Sequence, residues 1–405
     1  MKKILFTIIL ATYSFAVTLQ EAINQAPDGA KITLQAGEYV GNILINKPLT
    51  IDGIDKNAII VGDGAGSVIT INSSNVVLKN LTVKNSGNSV EKIDSGILAK
   101  NVNHITLDNN RVEDTLFGIN LEQVNRSKIT NNFVTSKDLP LGVRGDAIRL
   151  WYSHDNQVVS NTIYKSRDFV LWYSSGNIIE GNYGSHNRYS LHFMYAGRNT
   201  IRNNTFEYNS VGIFFMYSSG SIVQNNTVKN AIGPFGVGIG IKDTSNFTLL
   251  DNNLIYNSRG LYIDQSPYQP GTINVFERNS ILYNSSGVQF QVSRERSIFN
   301  ENILRGNIEA VVNDSPRNNL EKNEWSRNYW DSYEGFDRNG DGYGDIPYKH
   351  YVYADKLWLY NPNVKFFYGS VIMDLLNFLA KFIPFSEPEL LAVDNKPLME
   401  WKNAK

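Results

Sequence analysis

SLHFMYAGRNTIRNNTFEYN, residues 190 to 209, is followed after Ser210 by VGIFFMYSSGSIVQNNTVKN, residues 211 to 230. Laid one over the other, Leu191 meets Ile213, His192 meets Phe214, Met194 meets Met216 and Asn204 meets Asn226. The same pattern recurs upstream in FVLWYSSGNIIEGNYGSHN, residues 169 to 187, and FGINLEQVNRSKITNNFVTSK, residues 117 to 137. The first apolar residue of each unit falls at Ile97, Ile119, Ile148, Phe169, Leu191, Ile213, Ile239, Leu261, Val288 and Ala310. Most steps are 21 or 22 residues, and the longer ones carry insertions such as Lys137–Arg144 and Ile232–Phe235. An earlier unit begins near Ile69.

A fixed period of this length is the mark of a solenoid. Inside each unit apolar and polar residues alternate, which is strand rather than helix spacing. Strands this short bury nothing alone, so units must stack and pair in parallel with their neighbours. Asparagines at one place per unit then form a column of amides along the stack. A leucine-rich horseshoe lacks its L-x-x-L-x-L signature here, and a propeller needs a longer period. The expected fold is all-β, a right-handed single-stranded parallel β-helix with turns of about 22 residues.

The rest of the composition fits. The chain has 405 residues, ample for a large core, and a net charge of −1. That balance gives no pull toward nucleic acid. Aromatic content of 12 % is far from a disordered profile, and the absence of cysteine excludes disulfides and thiolate metal sites. The N-terminus, MKKILFTIILATYSFA, has two lysines, a short apolar run and small residues at Ser14 and Ala16. It reads as a secretory signal peptide over residues 1–16, the alternative being a buried first strand.

Alternation decides which side chains face out. If Ile213 and Phe215 point inward, Phe214 and Met216 point outward. One outward column then reads Trp151, Trp172, Met194, Met216, Lys242, Asp264. Its neighbour reads Arg149, Val170, His192, Phe214, Gly240, Tyr262. An imidazole and two thioethers, His192, Met194 and Met216, fall on one face, and that donor set suits Cu(I). The same stripe, with Trp151 and Trp172, equally suits a covered partner interface. His104, His154, His186 and His350 read as solvent-facing loop residues. Asp146, Arg149, Lys242 and Asp264 are candidates for carbohydrate chemistry, but a cross-strand ion pair explains Lys242 and Asp264 equally well, and no paired acids are expected on adjacent turns.

After Leu320 the character changes. In EWSRNYWDSYEGFDRNGDGYGDIPY the residues Asp337, Asn339, Asp341 and Asp345 have the spacing of a calcium loop, without the bidentate glutamate. Asx turns within the loop explain the same residues. Tyr329, Trp330, Tyr333, Tyr343 and Tyr348 are expected to close the end of the stack. Phe366 to Ile383 reads as an apolar helix ended by Pro384. Asp374, Asn377 and Lys381 argue against a membrane span, so Phe366, Leu375, Leu376 and Phe378 are expected to face a partner. The domains are 1–16 signal peptide, 17–325 β-helix, 326–362 cap, and 363–405 helix with an extended tail for docking.

The SLHFMYAG and GIFFMYSS turns, the NYWDSYEGFDRNGDGYGDIPY cap and the terminal PFSEPELLAVDNKPLM together resemble the NosD family. The likeness runs from the signal peptide to Met399. It implies a non-enzymatic, periplasmic assembly factor for nitrous oxide reductase. Such proteins work with an ABC transporter permease and ATPase at the inner membrane, receive copper from a lipoprotein donor and deliver it to the reductase. The resemblance implies that the C-terminal segment docks the permease and that the HFMY turn handles copper. The main alternative is a polysaccharide lyase or glycoside hydrolase on the same scaffold, which would need clustered carboxylates on an outward face. A structural adhesin is a third reading.

Overall fold

The computed structural model describes residues 7–10, 18–315, 319–352, 361–367, 370–382 and 388–401. The chain winds into a right-handed parallel β-helix of about thirteen turns. Each turn contributes one strand to each of three sheets, of 12, 13 and 16 strands. One turn is Phe117–Glu122, Lys128–Thr130 and Phe133–Ser136. Its inward side chains, Ile119, Leu121, Ile129 and Val134, are fully buried. The alternation seen in the sequence is therefore the inside–outside rhythm of each strand.

Between strands the chain turns through single residues with positive φ. Asn80, Asn109, Asn131, Asn203 and Asn225 all lie between 54 and 57°. Asparagine tolerates this left-handed conformation better than most residues, because its short amide bonds locally.

A second set of asparagines points inward and locks the turns. The column runs from Asn110 through Asn132, Asn161, Asn182, Asn204, Asn226, Asn252, Asn279 and Asn302 to Asn328. In the repeating unit Asn182 donates both its backbone N–H and its Nδ2 to Asn204 Oδ1, each at 2.9 Å. Its Nδ2 also reaches the Val158 carbonyl at 2.9 Å. Each amide thus satisfies buried backbone groups left over at a bend, where no ladder partner exists.

At the N-terminal end the helix Leu19–Gln25 covers the first turn with Leu19, Ala22 and Ile23. Thr18 and Glu21 form a capping box. The strand Thr7–Leu10 lies parallel to Ala30–Leu34 and extends the sheet by one strand. Residues 1–6 and 11–17, which carry the rest of the signal-peptide reading, lie outside the described residues.

At the other end Phe299, Trp325 and Trp330 stack onto the core. Tyr348–Val352 and Glu389–Asp394 pair antiparallel across it. Asp394 is fully buried and receives five hydrogen bonds. Among them are Asn328 N–H and Nδ2, both at 2.9 Å to Oδ2. The C-terminal tail therefore supplies the last rung of the asparagine column. That corrects the single docking segment expected over 363–405, since its final strand belongs to the cap.

The apolar helix begins later than its sequence pattern, at Val371, after a 3-10 turn over Pro362–Phe367. Ile383 and Pro384 lie outside the described residues. Phe366 is 87 % exposed, and Leu375, Leu376 and Phe378 are exposed as well. No described helix is long and apolar enough to cross a membrane.

Candidate functional site

The strands Ile148–Trp151, Asp168–Trp172, Tyr189–Met194, Val211–Met216, Val237–Lys242 and Arg259–Asp264 lie side by side in the 12-stranded sheet. Their register sets Trp151 beside Trp172, Trp172 beside Met194, Met194 beside Met216, and Met216 beside Lys242. The neighbouring column sets Arg149 beside Val170, Val170 beside His192, and His192 beside Phe214. His192, Met194 and Met216 thus share one outer wall. Adjacent strands stand about 4.8 Å apart, so these residues are neighbours at backbone level.

The surroundings differ along the wall. Met194 is half-buried and borders Trp172. Met216 packs with Phe214, Val211, Val237, Tyr189 and Tyr262 in a small apolar cluster outside the main core. His192 is buried, and its ring lies under Tyr189, centroids 4.6 Å apart and 18° from parallel. Both ring nitrogens are buried, and neither has a hydrogen-bond partner. Nδ1 lies 3.7 Å from Asp168 Oδ2.

Trp151 and Trp172 meet edge to face at 5.2 Å, with the Arg149 guanidinium 4.8 and 5.5 Å from their rings. Beside them runs a ladder of tyrosines. Tyr152, Tyr173, Tyr195 and Tyr217 stack at 4.7, 5.1 and 4.8 Å. All four have positive φ, and all are exposed. Tyrosine in that conformation costs on the order of 1–2 kcal/mol, against an asparagine's smaller cost. The ladder's one-turn recurrence was visible in the sequence, where only the strand positions were followed.

Two expectations are corrected here. Acids do stand on adjacent turns: Asp146 and Asp168 are buried and interact. Burial, then the Asp168 charge, pushes the Asp146 carboxyl up to about 7. Asp168 is also pushed up by burial, but His192 and Arg188 outweigh that and hold it below the usual carboxylate range. Arg188 grips it with Nε at 2.9 Å from Oδ1 and Nη2 against Oδ2. Asp146 precedes its strand and Asp168 opens the next, so their pairing lies outside the columns that alternation defines. The second correction is His350. It lies in the cap strand, not in a solvent-facing loop, with Nδ1 3.1 Å from the Tyr348 hydroxyl. Burial lowers it to about 4.

Lys242 and Asp264 form the ion pair expected, Nζ to Oδ2 2.6 Å. The aspartate loop ties itself. Asp337 accepts from Gly340 and Gly342 N–H, Asn339 from Asp341, Asp341 from Tyr343, and Asp345 from Arg338. Among the described residues no three His, Asp or Glu side chains converge as a metal cage. The loop acids are occupied as the Asx-turn reading has them.

Fold and wall together define a class: a right-handed β-helix carrying an imidazole and two thioethers on one outer face. The family model described as periplasmic copper-binding protein (NosD) matches residues 133–335, and one described as right handed beta helix region matches 66–189. This chain belongs to the NosD family. It is 28 % identical to the "Probable ABC transporter binding protein NosD" of Pseudomonas aeruginosa, over 94 % of this chain and 91 % of that one. The Stutzerimonas stutzeri protein of the same name is 27 % identical, over 94 % and 89 %. Among solved structures, the A-module of an Azotobacter vinelandii mannuronan C-5 epimerase, AlgE6, covers 73 % of this chain and 92 % of its own. It has a TM-score of 0.58 and 16 % identity. A GH87 α-1,3-glucanase catalytic domain in complex with nigerose covers 80 % and 69 %, with a TM-score of 0.57 and 14 % identity. At such identities these structures share the fold alone.

Proposed function

We propose that this protein is a periplasmic, non-enzymatic assembly factor that works with an ABC transporter to deliver copper to nitrous oxide reductase. The observation that carries the reading is the common outer wall of His192, Met194 and Met216 in a chain of the NosD family. Thioether and neutral imidazole are donors that favour Cu(I). The ion is cargo, taken from a copper lipoprotein and passed on, so a half-open wall suits it better than a closed cage. Trp151, Trp172 and the tyrosine ladder give the receiving partner an aromatic face. The exposed Phe366, Leu375, Leu376 and Phe378 dock the permease, which holds the protein at the inner membrane while the ATPase acts on the far side.

Competition titration of purified protein with Cu(I) and bicinchoninate tests the site. One equivalent should bind, and Met194→Ala with Met216→Ala should weaken it at least tenfold. An unchanged affinity would remove the site. The glycan-cleaving alternative has its acid pair in Asp146 and Asp168, both buried and engaged by Arg167 and Arg188.

A further inference from the structure

Asp168 does not belong to either outward column, yet its carboxylate is the charged group nearest the His192 ring. At 3.7 Å from Nδ1 it is beyond hydrogen-bond length but within strong charge–dipole range. It is held from several sides. Arg188 contacts both oxygens, the Tyr189 N–H reaches Oδ1 at 3.3 Å, and the Asp168 carbonyl accepts Ala147 N–H at 2.8 Å. The imidazole plane is fixed as well, by Tyr189 lying flat upon it.

A local irregularity brings the two together. Between these strands the register shifts: Asp168 stands beside Tyr189, whereas Val170 stands beside His192. The strand bearing His192 holds one extra residue over that interval. Bulges of this kind re-aim side chains.

The charge beside the ring then distinguishes its two nitrogens. A neutral imidazole has one N–H and one lone pair. A lone pair aimed at a carboxylate would be repelled, so the proton sits on Nδ1. We infer that Asp168 is a positioning residue for His192, holding Nδ1–H toward its carboxylate and leaving the lone pair on Nε2, a buried atom that a soft cation reaches only once its cover moves. This deepens the copper reading and rests on it for the identity of the cation. Carboxylates behind ligating histidines do the same in many metal sites.

Two readouts test it. In metal-free protein labelled with 15N-histidine, long-range 1H–15N correlations report the His192 tautomer directly. The Nδ1–H form is expected, and a predominant Nε2–H form overturns the inference. Asp168→Asn should shift the tautomer population, and Asp168→Glu should restore it. Should the lone charge of Arg188 unfold Asp168→Asn, the double variant Asp168→Asn with Arg188→Gln removes both charges. A tautomer indifferent to these changes also overturns it. In the same proteins Cu(I) affinity, measured against bicinchoninate, should fall about 10- to 100-fold without the carboxylate. If the tautomer behaves as stated while His192→Ala leaves Cu(I) binding intact, the positioning role stands and the copper site falls.

Discussion

Asp146 illustrates how far a single side chain can depart from its surface behaviour. Folded, it holds its proton to about pH 7, whereas an unfolded aspartate loses it near 3.8. Between these values the folded chain binds a proton that the unfolded chain has released. Its contribution is therefore full at low pH, declines as pH rises through this window, and is lost above it. Asp146→Asn has no such slope. Urea denaturation at several pH values should show the variant gaining on the native chain between pH 4 and 7, by about 1.4 kcal/mol per unit and a few kcal/mol in all. A difference independent of pH would show that Asp146 is ionised when folded. Residues of this sort were poorly legible in the sequence. The alternation rule locates strand interiors, so His192, Met194 and Met216 could be placed on one wall from spacing alone. Asp168, Arg188 and Tyr189 lie where strands begin and a bulge resets the count, and no periodic rule reaches them.

At the level of strands and bends, the asparagine column carries the burial problem of the whole stack. Removing one amide strands donors on the turn before it. Asn204→Ala leaves the Asn182 N–H and Nδ2 without the acceptor they share. Each unpaired buried group costs about 1–3 kcal/mol. A loss of 3 kcal/mol or more is expected by chemical denaturation, while Asn203→Gly, at the exposed bend next to it, should change stability by under about 0.5 kcal/mol. Equal effects would mean the column is incidental. The repeat made this column readable, because every rung but the last is an asparagine a turn from its neighbour. The last rung was not readable, being an aspartate far along the chain in a different motif. Aspartate suits that place, because both of its oxygens accept: Oδ1 from Arg327 and Lys396 N–H, Oδ2 from Asn328 and Trp330. An asparagine would turn an N–H₂ toward donors. Asp394→Asn should therefore raise hydrogen exchange in Tyr348–Val352 and Glu389–Asp394 while Lys128–Thr130 stays protected. Uniform exchange across all three would show that the last rung is not specifically held.

Across the whole molecule, the two functions proposed above fall to two places. The wall that bears sulfur and imidazole lies on turns near the middle of the stack, and the exposed helix Val371–Phe382 is attached at its C-terminal end. Changing Leu375, Leu376 and Phe378 to serine should leave the melting temperature of the β-helix within about 2 °C, because these side chains are exposed. The same change should abolish co-purification with the transporter. Retained association would place the docking surface elsewhere, with the aromatic ladder the next face to test. Composition and hydropathy had marked the helix as needing a partner. They had not separated it from the strand that follows, since an extended apolar run such as Glu389–Asp394 has no local feature that tells docking from capping.

Val352 and Glu389 face each other as paired residues of an antiparallel ribbon. The chain thus leaves the cap sheet at Val352 and rejoins it at Glu389, at a single doorway. A short reverse turn spliced from Val352 to Glu389 would close that doorway as a hairpin. The resulting miniature would keep its final carboxylate in place and lose the exposed helix Val371–Phe382 alone, whereas truncation before residue 366 would strip away both.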